Sequence, residues 1–130
     1  REFGQAMAKP LYGERARTLM AQGVCQARAG QNADAERSLA QSYELDAADP
    51  VTGFNLAKLL FLRGELTRAQ FYIRRLNNTE LANSESLWLG IKVERQIGDR
   101  VAMDQLADQL RRRFSNSREA AALARGAFNE

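Results

Sequence analysis

The side chains best placed to do chemistry in this sequence are aromatic and basic, and their spacing suits binding. Met20, Phe54 and Trp88 stand 34 residues apart. Lys58 and Lys92 follow the two aromatics by four residues, and Phe61 and Arg95 follow them by seven. On helices these offsets share one face. An apolar row flanked by Lys58, Lys92 and Arg95 can receive a peptide or a helix, and Trp and Arg are the types that most often dominate binding energy. The same spacing also suits a core: Phe54, Phe61 and Trp88 either line a groove, or pack against neighbouring helices or under a C-terminal cap. Catalysis has far less to work with. The chain has no histidine, no glycine-rich phosphate loop and no metal-spaced Cys/His cluster. Ser115 and Ser117 have no base nearby in sequence, and the carboxylates fall at turns and helix starts, where capping explains them. A non-catalytic protein without cofactor or metal is expected. Cys25 is the single cysteine, so no internal disulfide can form, and on a helix it reads as a small buried apolar residue.

The elements that must position these residues follow from three glycines. Gly30, Gly64 and Gly98 are also 34 residues apart, each between two stretches of helical periodicity. Ala35, Ala69 and Met103 keep step with them, as do Leu39, Ile73 and Ala107, and Gly23, Ala57 and Ile91. A period of 34 is that of the tetratricopeptide (TPR) helix–turn–helix unit. The expected fold is an all-α TPR superhelix of about three repeats with a capping helix. Residues 1–13 read as the remnant of a preceding repeat's helix and a linker, broken by Pro10 and Gly13. Repeats follow at 14–49, 50–83 and 84–114, with a capping segment at 115–130. Their helices are expected near 14–29, 32–45, 50–63, 66–77, 84–97, 100–113 and 117–128. Leu19, Gly23 and Cys25 should face inward. Asp49, Ser84 and Asp99 are the expected N-caps, and Pro50 suits a first helical turn.

Composition and charge narrow the partners. Of 130 residues 45% are hydrophobic, which suits a folded chain, and the formal net charge is +3. Residues 50–83 carry 5 basic and 2 acidic side chains, making the middle repeat the positive one. That is too weak for a dedicated nucleic-acid binder but fits a partner with some acidic surface. Arg74-Arg75 and Arg111-Arg112-Arg113 close helices, where the helix dipole favours them; nucleic acid or acidic lipid headgroups are the alternative. The Lys/Asn clamp by which TPR cochaperones grip a carboxylate tail is absent, since Met20 and Val24 occupy the corresponding places in the first repeat. No signal peptide or transmembrane run stands in the sequence. The chain opens with Arg1-Glu2-Phe3, which reads as the start of a fragment.

The segment from Ala21 to Phe114 resembles the PilF/PilW family of type IV pilus biogenesis proteins. Ala21 to Gly30 looks like the start of one of that family's repeats, and Phe71 to Asn78 extends the likeness. Leu87-Trp88-Leu89-Gly90-Ile91-Lys92 is similar to the family's LWLGIR stretch, and Gln109 to Phe114 to the segment before its final helix. Ser115 departs from the pattern, standing where the family often has proline. The resemblance implies a pilotin: a TPR lipoprotein on the periplasmic face of the outer membrane, helping the pilus secretin reach that membrane and assemble into its ring. It implies a secretin partner and an N-terminal lipid anchor outside this fragment. A generic TPR scaffold for another cell-envelope or signalling complex is the competing expectation.

Overall fold

The computed structural model describes residues 2–130, with side chains described from Leu11 onward. Among the described residues the regular structure is seven α-helices in sequence: α1 Glu2–Arg28, α2 Asn32–Leu45, α3 Pro50–Leu62, α4 Leu66–Asn77, α5 Ser84–Ile97, α6 Arg100–Arg113 and α7 Arg118–Arg125. The expected all-α helix–turn–helix series is therefore present, with α2 to α6 within a residue of the bounds read from sequence. Gly30, Gly64 and Gly98 all take positive φ, at 81°, 83° and 96°. Only glycine enters that region without strain, so the 34-residue period marks a backbone requirement at each turn between paired helices.

Local signals explain most of the boundaries. Asp49 Oδ1 accepts from the Val51 N–H at 2.9 Å, and Pro50 opens α3 where a missing N–H costs nothing. Asp99 Oδ1 accepts from the Ala102 N–H at 3.0 Å and starts α6. The α5 cap differs from expectation. Asn83 caps the helix in place of Ser84, accepting from the Ser86 N–H while Ser86 Oγ accepts from the Asn83 N–H, both at 2.8 Å. This reciprocal capping box satisfies two otherwise orphaned donors, which a serine cap one residue later would not.

Two further expectations are corrected. The break at Pro10 and Gly13 is absent, because α1 runs unbroken from Glu2 to Arg28. Gly13 is not among the positive-φ glycines, so nothing redirects the chain there; Pro10 removes one helical N–H without supplying a turn. Cys25 is exposed. Gly23 is buried against α2, and two residues further along a helix is about 200° round its axis. The inward face that takes Gly23 must therefore turn Cys25 outward.

Two compact units divide the chain within α3, Arg1–Leu59 and Leu60–Glu130. In the first, α1 packs on α2, with Ala16, Ala35 and Leu39 buried. Ser42 Oγ donates to the Ala16 carbonyl at 2.7 Å and lies 3.2 Å from Thr52 Oγ1, so the buried hydroxyls are satisfied. A Cβ added to Gly23 would stand 2.6 Å from Leu39 Cγ and 3.3 Å from the Ala35 carbonyl oxygen. We expect Gly23→Ala to destabilise the chain by about 1 kcal/mol, since overpacking costs ~1–3 kcal/mol and alanine's better helix propensity returns up to ~1 kcal/mol. Thermal unfolding followed by circular dichroism reads this; a raised melting temperature would contradict the α1–α2 approach.

In the second unit, α5 packs against α4 and α6, and α7 lies on α5 and α6. Its core joins Leu87, Trp88 and Ile91 of α5 to Ala107 and Leu110 of α6 and Ala120 and Ala122 of α7. The capping role expected for the last helix is met, because α7 covers the end of this core. It is shorter than the sequence suggested, closing at Arg125 with Gly126 left-handed at φ 66°.

Candidate binding site

Helix α5 presents the densest set of the expected binding residues. Its capping box fixes the start of the helix, and Trp88, Lys92 and Arg95 then recur along one face at i, i+4 and i+7. Lys92 Nζ sits 5.7 Å from the Trp88 ring centroid and 5.8 Å from that of Phe61. Trp88 stacks on Phe128 with centroids 5.6 Å apart and planes 17° from parallel. Arg95 Cζ lies 4.3 Å from the Phe128 centroid. Cations within about 6 Å of a ring face are held by its quadrupole, so Phe61, Lys92, Trp88, Phe128 and Arg95 form a continuous ladder of alternating character. Beside it, Trp88, Arg118, Ala121, Arg125 and Glu130 line an open cleft of about 480 Å³.

The expected groove residues take different places. Phe61, Trp88, Lys92 and Arg95 are brought together in the second unit. Trp88 is only 5% exposed and belongs to the core beneath the C-terminal segment. Lys92 is half-buried and Arg95 exposed. Met20 and Phe54, both half-buried, and Lys58, exposed, belong to the first unit. Sequence reasoning missed Phe128 as a member of the site. Its signal was Gly126: a glycine there ends the helix and lets the next residues fold back, whereas a helix continued to 128 would have hidden the contact.

A second polar cluster lies on the α4 side of α5. Glu94 is buried, its side chain 1% exposed. Arg74 holds it through Nε to Oε2 at 2.7 Å and NH2 to Oε1 at 3.1 Å, and Gln70 Nε2 donates to Oε1 at 2.9 Å. Arg74 also reaches Asp99 Oδ2 at 3.0 Å. The hydrogen bond to Glu94 is the main cause that raises the Arg74 pKa above its ordinary value, so the guanidinium stays charged. Every oxygen of these two carboxylates is engaged, which makes the cluster a lock between α4, α5 and the α6 cap. Among the described residues no group of acidic, histidine or cysteine side chains could hold a metal ion, and no helix is long and apolar enough to cross a membrane.

Paired helices turned by glycines every 34 residues, with an aromatic–cationic surface on the first helix of a pair, define a TPR-type protein. Two solved structures are similar to it. The chain matches pilF of Pseudomonas aeruginosa at 26% identity with a TM-score of 0.79, covering 90% of this chain and 53% of that one. It matches PilW, a widely conserved type IV pilus biogenesis factor, at 28% identity with a TM-score of 0.74, covering 94% of this chain and 56% of that one. The resemblance read between Ala21 and Phe114 is thus borne out in the fold, and the chain spans about half the length of each. The sequence matches no protein-family model and no curated protein sequence.

Proposed function

We propose that this chain is a non-catalytic protein-binding module of type IV pilus biogenesis, acting as a pilotin at the periplasmic face of the outer membrane. Its partner in this reading is the pilus secretin, whose localisation and multimer assembly it supports. The observation that carries the reading is the likeness to PilW across 94% of the chain. The ladder on α5 gives that reading a surface: rigid rings with cations held over them, the residue types that concentrate binding energy. Arg95 and Lys92 supply positive charge at the rim, which suits a secretin segment with acidic side chains.

The test is capture of purified secretin periplasmic domains by the chain, with Lys92→Glu and Arg95→Glu variants whose folding is verified by circular dichroism. Reversing either charge at the rim is expected to weaken capture at least about fivefold, about 1 kcal/mol. Capture unchanged in both variants would move the binding surface off α5. No capture by the folded parent chain would count against the secretin as partner and favour a generic TPR scaffold.

A further inference from the structure

We infer that the surface formed by Trp88, Arg95 and Arg125 recognises segments in which an aromatic residue is followed two positions later by a carboxylate, and that the chain's own Phe128-Asn129-Glu130 occupies it. This deepens the reading of α5 as a protein-binding face. The seated segment shows the chemistry the surface accepts. Phe128 lies between a ring and a cation, stacked on Trp88 at 5.6 Å with Arg95 4.3 Å from its centroid. Two residues on, Glu130 Oε1 accepts from Arg125 NH2 at 2.6 Å. One aromatic slot and one arginine thus read two side chains of a short segment. They do so beside a cleft of about 480 Å³ that Trp88, Arg118 and Arg125 help to line, so there is room for a longer chain than the one now seated.

The segment is built to leave. It follows a left-handed glycine, Gly126, and is not helical. Its main chain is tied by the Ala127 N–H to the Ala122 carbonyl at 2.9 Å and by the Glu130 N–H to the Ala127 carbonyl at 3.1 Å. The Arg125–Glu130 pair is more than half exposed on both sides, and such pairs are weak. Phe128 is only partly buried. A partner segment with the same two side chains would make the same contacts and add others along the cleft. Occupation by the chain's own segment lowers apparent affinity by the fraction of molecules that are open. If about one molecule in ten is open, the penalty is about tenfold.

Trp88 is the sole tryptophan, so its fluorescence reports the slot directly. The probe is an acetylated, amidated peptide Ala-Phe-Asn-Glu, titrated into the intact chain, a chain truncated after Gly126, and Glu130→Gln in the intact chain. The truncated chain should bind the peptide and return its Trp88 emission toward that of the intact chain. The intact chain should bind at least about tenfold more weakly, with Glu130→Gln in between. A peptide with alanine in place of phenylalanine should not bind. Equal binding to intact and truncated chains, or none to a truncated chain that is folded by circular dichroism, would overturn the inference and leave Phe128 a plain structural cap. Should truncation unfold the protein, Glu130→Gln decides: affinity no better than the parent's overturns the proposal. Peptide binding without secretin capture would keep this site and sink the secretin reading. Secretin capture without peptide binding would do the reverse.

Discussion

Replacing Trp88 with alanine is expected to destabilise the second unit by about 3–5 kcal/mol, the range for truncating a large buried aromatic. The side chain is 5% exposed and touches a core drawn from α5, α6 and α7. Its loss opens a cavity flanked by Leu87, Ile91 and Ala120, which small helical residues cannot refill without moving α7. It also strips Phe128 of its stacking partner and Lys92 of one of its two rings. Urea unfolding monitored by circular dichroism measures the loss. A change under about 1 kcal/mol would mean that Trp88 is a surface residue after all. Trp88→Phe keeps a ring in the slot and should cost less than half as much. One consequence bears on function: lost partner binding in Trp88→Ala would report a damaged fold, so Lys92 and Arg95, which stand at the rim, are the residues that interrogate the surface.

What was legible in the sequence was what short-range physics determines. Positive-φ glycines at Gly30, Gly64 and Gly98 repeat a backbone need, and the helices between them repeat a packing need at Ala35 and Ala69, both fully buried. Asp49 and Asp99 announced their helices because a cap acts over two or three residues. Asn83 was less visible, since either it or Ser84 can cap and only the reciprocal bond from Ser86 selects between them. The site was half legible. The aromatic–basic offsets pointed to α5, but a helical face does not say whether its ring is covered. Trp88 is covered because Gly126 turns the chain forty residues downstream, and no local pattern couples positions 88 and 128. The same holds for Glu94. Its i−20 partner Arg74 read as an ordinary basic residue at a helix end, where the helix dipole gave it sufficient reason to be.

Arg74→Ala is expected to cost about 2–3 kcal/mol. Removing one member of a buried ion pair typically costs ~3–5 kcal/mol because a charge is left uncompensated. Here the Arg74 side chain is 46% exposed, so water entering its place screens part of the loss. Glu94, with its side chain 1% exposed, would keep only the Gln70 amide as a side-chain donor, and Asp99 would lose its arginine at the start of α6. The deficit should shrink as pH falls into the carboxylate range, because protonation removes the stranded charge, and grow again as pH rises. Denaturant midpoints at several pH values test the sign. Adding Glu94→Gln to Arg74→Ala should recover a good part of the loss, because an amide in that position carries no charge to strand. A double variant no more stable than Arg74→Ala alone would mean that the arginine holds α4 by packing its stem. Stability within about 0.5 kcal/mol of the parent in the single variant would mean that the pair contributes nothing measurable. The recovery decides between these because packing and charge make opposite demands on it: a lost stem cannot be restored from the carboxylate's side, and a stranded charge can be removed only there.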